Sequence, residues 1–593
     1  MKSIGRITVF SGFIFCLFLA ACSIEKNETE RFNIFLDEEW KYAMQEYPTL
    51  ATSVGYPGQN DRWTDISLQA FSRRESRTRE ALKRLQDINR ARLNGKDRLN
   101  YDLYLHDLKL DVEGQHFLDR YLQISQMGGI QKSISNTLNR APALTAKDYQ
   151  DILARFKKVP VQIDNTIILL EEGLKAGITY PRITLRDIPN QIKAMTAVSD
   201  NPIMKVFNSF PDSVSVEKQK KIKDEAHETL VNLAIPAFEK LYDFFVNTNI
   251  PGARETIGWC DLPEGKEWYS YLVKTYTTTE MSPEEIHNLG LSEVKRIRGQ
   301  MEDIMKDTGF NGTYKDFQKF MLSDPRFFFE SPEDLVVACR DIAKRADYSL
   351  PRLFGKLPRL PYGVLPVPAY IEKSQPAAYF QTGNMKNGIA GTFFVNTCNL
   401  PSRPRWGLTP LVLHEAVPGH HLQLALAGEE EKFPNFRRYG GYTAYIEGWA
   451  LYAESLGYEM GMYKDKYIQF GQLNYEIWRA IRLVADTGIH YYGWSRQQAI
   501  DYFKENMANT EHDIIVEVDR YIVMPAQALT YKVGQLKIKE YRKYCQDQLK
   551  EQFDLRAFHD YLLAQGALPM GILENQVKEW ASEIKNKSTQ KKG

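Results

Sequence analysis

The chain has 593 residues, of which 43% are hydrophobic, 25% charged and 12% aromatic, enough length and apolar material for a sizeable buried core, so disorder is excluded over its bulk. Lysine and arginine number 76 against 75 aspartates and glutamates, which leaves a net charge of +1, no long basic block and no expectation of a nucleic-acid partner. Six cysteines exclude a disulfide-dense scaffold, and Cys260, Cys339, Cys398 and Cys545 lie too far apart for a CxxC zinc or redox motif, with three connectivities open if all four pair.

The first 22 residues read as processing information. Lys2 and Arg6 open a basic start, and the apolar run from Val9 to Ala21 closes on Cys22, short of the roughly 20 residues needed to cross a bilayer. Leu19-Ala20-Ala21-Cys22 resembles the lipobox of bacterial lipoproteins, which implies cleavage before Cys22 and a lipid on its sulfur; an ordinary secretory signal is the other reading. Ser23 stands where an aspartate would resemble an inner-membrane retention signal, so an outer-membrane destination is expected, with membrane contact through the lipid alone.

From about Glu28 to Gln115 apolar residues recur three and four apart among charges, the mark of amphipathic helices. The pattern continues through ALTAKDYQDILARFKKVPVQIDNTIILLEEGLKAG, with Pro160 just past a helix end and Gly177 as a cap. At MSPEEIHNLGLSEVKRIRGQM the start of a helix is written out: Ser282 as N-cap, Pro283 at the first helical position, Glu285 closing a capping box. Between about Pro351 and Pro410 the texture changes to prolines, glycines and the short runs AAYFQ and GTFFVNT, which predict a small sheet. Helices resume after Pro410. The expected fold is mostly α, a large helical body with a small β element before the helices that resume after Pro410. Its expected parts are a signal segment 1–22, a helical region 23–270 and a metal-site region 271–593, the last boundary being weakly marked.

Three of the ten histidines fall between positions 414 and 421, in LVLHEAVPGHHLQLALAGEE. The signature HExxH binds zinc because histidines at i and i+4 project from one helical face, with the glutamate beside the metal-bound water. Here the i+4 position is Pro418, and on a straight helix His414 lies about 120° from His420 and about 10.5 Å from His421. Pro418 lacks an N–H and its ring clashes with the carbonyl of His414, so the helix must bulge there, with Gly419 free to turn back at positive φ. With Pro418 and Gly419 looped out, His414-Glu415-Ala416-Val417-His420 restores HExxH in space. His420 is then the second ligand and His421 a neighbour or substrate contact, the reverse assignment staying open. A third ligand is needed, and Glu447, an acid interrupting the apolar helix of GYTAYIEGWALYAESLG with Glu454 two turns along the same face, is the candidate. Pairing of Glu447 with an arginine such as Arg482 is the competing explanation.

HEAVPGHHLQ, YTAYIEGWALYAE, RLVADTGIH and EVDRYIVMPAQALTYKVG resemble successive signature blocks of the bacterial domain-of-unknown-function 885 family, and the likeness covers nearly all of the mature chain. That family in turn is similar to gluzincin metallopeptidases, which implies a helical metallopeptidase-like fold with the small β element before the metal-binding helix. The resemblance implies one zinc ion on His414, His420 and Glu447, with Glu415 as general base, and says little about substrate, for which a peptide is the first expectation; the inserted Pro-Gly departs from the ordinary spacing. Tyr531, Arg520 and His490 are candidate donors to the oxyanion of the intermediate, with Asp486 spaced to orient His490. GTFFVNT could pair as an edge strand with an extended peptide, Asn396 adding a polar contact, or it could be a plain core hairpin. Two other functions remain compatible with these ligands: a non-haem iron enzyme, against which Glu415 argues, and a non-catalytic lipoprotein that binds a peptide or metal.

Overall fold

The computed structural model describes residues 28–369, 372, 376–385 and 388–590; the expected lipid-bearing Cys22 lies outside them. The chain divides into two compact units, one ending at Glu255 and the other beginning at Thr256, rather than near residue 270. Among the described residues no helix is long and apolar enough to cross a membrane.

The first unit is helical. A helix over 28–46 is followed by Leu68–Gln86 and Gly95–Gly114, and the stretch after Gln86 leaves the helix for a short 3-10 turn at Arg90–Arg92. Helix α1 (Ala146–Phe156) is capped by Thr145 and Asp148, and α2 (Val159–Ala176) carries Pro160 in its first turn and ends on Gly177 at φ 72°, as the sequence predicts. Ile152, Phe156, Ile163, Phe207, Phe238 and their neighbours form its core. Arg155 is fully buried among them. Its guanidinium donates to the carbonyls of Arg62, Pro48 and Gln59 and to Thr52 Oγ1, pinning the chain between α1 and the first helix through hydrogen bonds rather than an ion pair.

The second unit holds every residue of the predicted metal group. Helix α3 (Pro283–Asp307) begins at the Ser282–Glu285 capping box with Pro283 in its first turn. After α4 (Pro332–Ser349) come three strands, β1 (Tyr362–Pro366), β2 (Ala378–Gln381) and β3 (Gly391–Val395), in the order β1-β3-β2. β1 runs parallel to β3 and β2 antiparallel to it. GTFFV is therefore the central strand, paired on both sides, and cannot take up a peptide as an edge strand would; Gly391, Phe393 and Val395 face the core. Six helices complete the site's frame: α5 (Leu408–Glu415), α6 (His420–Glu429), α7 (Thr443–Ser455), α8 (Lys466–His490), α9 (Glu511–Val523) and α10 (Thr530–Leu549). α8 packs along α3, and α7 packs along α10. The second contact is unusually close: a Cβ on Gly448 would stand 2.5 Å from the backbone of Gly534, and one on Gly534 would stand 1.9 Å from the Ala444 carbonyl oxygen. Only glycine at both positions lets the backbones meet, which brings Glu447 on α7 toward Tyr531 on α10.

Candidate metal centre

The break at Pro418 is sharper than a bulge. α5 ends at Glu415, Ala416 leaves the helical region at φ −96°, ψ −108°, and α6 starts afresh at His420. Two short helices replace one kinked helix, joined by His421 N–H donating to the Ala416 carbonyl at 3.0 Å. Gly419 is not left-handed, as the sequence had suggested, but sits at φ −78°, ψ −130°. Its requirement is space, since a Cβ there would lie 1.9 Å from the His414 oxygen and 2.4 Å from that of Leu413. Gly419→Ala must therefore push α6 off the end of α5. The expected result is loss of metal binding in equilibrium dialysis together with a lower melting temperature.

Through this break two imidazoles meet. The His414 and His420 rings stand perpendicular with centroids 4.8 Å apart. Glu447 closes the group from α7, its Oε2 3.4 Å from His414 Nε2 and 3.5 Å from His420 Nε2. One ligand atom from each of the three lies within 4.8 Å of the others. Trp449 Nε1–H donates to the Pro418 carbonyl at 2.9 Å, so the helix that carries Glu447 is fastened to the break itself. Glu454, two turns along α7 and fully buried, accepts from His414 Nδ1 at 2.8 Å. That bond orients the His414 ring so that its Nε2 faces Glu447. Arg479 on α8 balances Glu454, with Nη2 3.5 Å from the same oxygen.

The electrostatics couple the three side chains. Burial opposes charge on both partners, yet the imidazoles of His420 and His414 hold Glu447 well below the usual carboxylate range, and Glu447 with Glu454 draws His414 up to about 9. Glu447 Oε2 and His420 Nδ1 are buried without a hydrogen-bond partner. Ligand atoms of a tetrahedral ion with bonds of about 2.1 Å stand about 3.4 Å apart, which is the spacing found between Glu447 and the two imidazole nitrogens. The residues present fit a divalent ion, and this group could hold one.

The remaining predicted residues divide into those near the group and those turned away. Glu415, at the last position of α5, is half-buried beside His414. Tyr531 stands on α10, which packs along α7, and burial and the charge of Glu447 together raise its phenol. Arg520 spends its terminal nitrogens on Glu517 at 2.9 Å and Gln527 at 2.7 Å. His490 is not at the group. Its Nδ1 accepts from Trp259 N–H and its Nε2 lies 3.0 Å from the Tyr521 carbonyl, so both nitrogens bond the backbone. Asp486, spaced to orient it, accepts instead from Tyr269 and from Ala526 N–H through Oδ1, while its Oδ2 has no hydrogen-bond partner. His421 turns to the sheet, its ring 4.5 Å from Tyr362 and 5.5 Å from Phe380, and burial pushes it down to about 4. Asn396 is buried and holds its own loop, donating to the carbonyls of Glu372 and Pro376 and accepting from Cys398 N–H, so it makes no substrate contact. Cys339 and Cys545 are buried thiols, both pushed up to about 12 by burial. Sequence reasoning passed over Arg479 and Gln527. A signal for Arg479 existed in its spacing from Tyr475 and Arg482 along one face of α8; none marked Gln527.

Fold and site together define a mostly helical protein with a small mixed sheet and a buried His/His/Glu group able to hold a metal ion. The family described as "Bacterial protein of unknown function (DUF885)" matches residues 48–577, and the chain belongs to it. A "putative lipoprotein" from Colwellia psychrerythraea has a solved structure similar to this one, with 26% identity and a TM-score of 0.85 over 94% of this chain and 99% of that one. Another, a "putative lipoprotein of unknown function" from Shewanella oneidensis, shares the fold at 17% identity, with a TM-score of 0.72 over 92% of this chain and 99% of that one. Among curated proteins none matches.

Proposed function

We propose that this protein is a zinc-dependent peptidase, exported and held at the outer membrane by a lipid on Cys22. The observation that carries the reading is the group itself: two imidazoles and a carboxylate whose ligand atoms lie within 4.8 Å of one another, with a second carboxylate, Glu415, on the residue next to the first ligand. Zinc in such a site supplies Lewis acidity, polarising a carbonyl and bringing the deprotonation of water toward neutral pH. Glu415 takes the proton of the attacking water and returns it to the departing amine. Tyr531 donates its hydroxyl to the oxygen on which negative charge develops. Glu454, steadied by Arg479, holds the His414 ring in its working orientation. Glu415 also sets this reading apart from an iron oxygenase, which has no use for a base beside its first ligand. The lipid anchor is supported by the Leu19–Cys22 motif and by the descriptions of the two similar structures.

The test is metal analysis of the purified chain and of His420→Ala, with turnover of a peptide library. One zinc per chain and cleavage by the wild type are expected, with His420→Ala losing the metal. A wild type that binds zinc and cleaves no peptide removes the peptidase reading.

A further inference from the structure

Tyr531 is held by a cluster of buried polar side chains that the reaction as described above does not use. The Arg482 guanidinium lies over its ring, 4.5 Å from the centroid, with Trp478 on the same cation at 4.8 Å. Arg482 is itself fixed from α9, donating from Nε to the Tyr521 hydroxyl at 2.9 Å and from Nη2 to Glu517 at 3.2 Å. The same Glu517 oxygen accepts from Tyr521 at 2.7 Å and from Arg520 at 2.9 Å. One carboxylate thus ties two arginines and a tyrosine, and its arginine neighbours hold it down to about 2 against the effect of burial.

Arg520 extends the cluster, its Nη1 donating to the Gln527 side-chain oxygen at 2.7 Å.

We infer that Arg482 is a positioning residue for Tyr531: fixed by Tyr521 and Glu517, its guanidinium clamps the phenol ring, so that the hydroxyl is held in place for the developing oxyanion. This rests on the peptidase reading above. Oxyanion donors must be oriented before charge develops, because a donor that has to turn during the reaction gives back part of its stabilisation. A guanidinium stacked on a phenol face and bonded at its other edge leaves the ring little freedom.

A double-mutant cycle on the full zinc-loaded chain distinguishes this from a merely structural cluster. Tyr531→Phe is expected to lower kcat about 10²-fold with KM little changed, as for loss of one oxyanion donor. Arg482→Lys keeps the charge but loses the planar clamp, and is expected to lower kcat about tenfold, KM and zinc content staying as in the wild type. In the Tyr531→Phe background Arg482→Lys should then cost nothing further. Glu517→Gln, which loosens the anchor of the Arg482 guanidinium, should behave in the same way and serves if Arg482→Lys does not fold. Independent losses that multiply in the double variant, or a rise in KM alone, overturn the inference while leaving the peptidase standing. A zinc-loaded wild type without peptide turnover removes both.

Discussion

Glu415→Gln is expected to keep the metal and lose the turnover. The substitution preserves shape and removes the ability to accept a proton, so a general base disappears while its neighbours stay in place. The loss expected is about 10²- to 10⁴-fold in kcat, the range for removing such a base. Zinc content should be unchanged, because the contacts that build the ligand group run among His414, His420, Glu447 and Glu454 and do not pass through Glu415. Position supports this separation. Glu415 closes α5 at the point where the chain leaves the helix, half-buried, whereas Glu447 and Glu454 approach from α7. Metal analysis beside initial rates on a cleaved peptide gives the answer, and equal rates in the two proteins would take the role of base from Glu415.

How far the site could be read from sequence follows from how local each determinant is. His414 and His420 were legible because Pro418 acts on its own neighbours: a missing N–H and a clash four residues back must interrupt the helix wherever the rest of the chain lies. Glu447 and Glu454 stood out as acids on an otherwise apolar face. The size of the break was not legible, since whether a helix bulges or restarts depends on what holds the far side, here Trp449 donating to the Pro418 carbonyl from another helix. Strand positions followed from AAYFQ and GTFFV, but the order did not, because which strand is central is decided by pairing across a long separation in sequence. That is why GTFFV was open to a peptide-pairing role it cannot fill. His490 misled for a related reason. Its i, i+4 spacing from Asp486 is a helical regularity, and Asp486 instead bonds Tyr269 and Ala526, neither of them near it in sequence. Gln527 carried no mark of its own; only the neighbouring Arg520 gives its amide a direction.

Lys532→Met is expected to destabilise the second unit by about 3–5 kcal/mol, the cost of removing one partner from a buried ion cluster. Lys532 follows Tyr531 on α10 and is fully buried. Its Nζ lies 2.7 Å from Glu476 on α8 and 2.9 Å from Glu293 on α3, with the Gln535 amide oxygen at 2.8 Å. Arg296 on α3 bonds both carboxylates as well, 2.7 Å from Glu293 and 2.9 Å from Glu476. Burial opposes ionisation of both acids, yet the cations prevail, taking Glu293 down to about 2 and Glu476 further below its ordinary range. Carboxylates with depressed folded pKa values stabilise the fold fully above their unfolded value near 4.5 and lose that contribution as the pH falls through the folded values. Without Lys532 the two acids share Arg296, with Lys539 3.8 Å from Glu476 alone, and their depression shrinks. The gap in stability between wild type and Lys532→Met should therefore be widest near neutral pH and narrow from about pH 4.5 toward pH 2. Urea unfolding of the full chain at pH 7 and pH 3, followed through the transition of the second unit, measures both quantities. A loss under about 1 kcal/mol, or a gap independent of pH, would mean that α3, α8 and α10 are joined by apolar packing alone and that the cluster adds nothing to it.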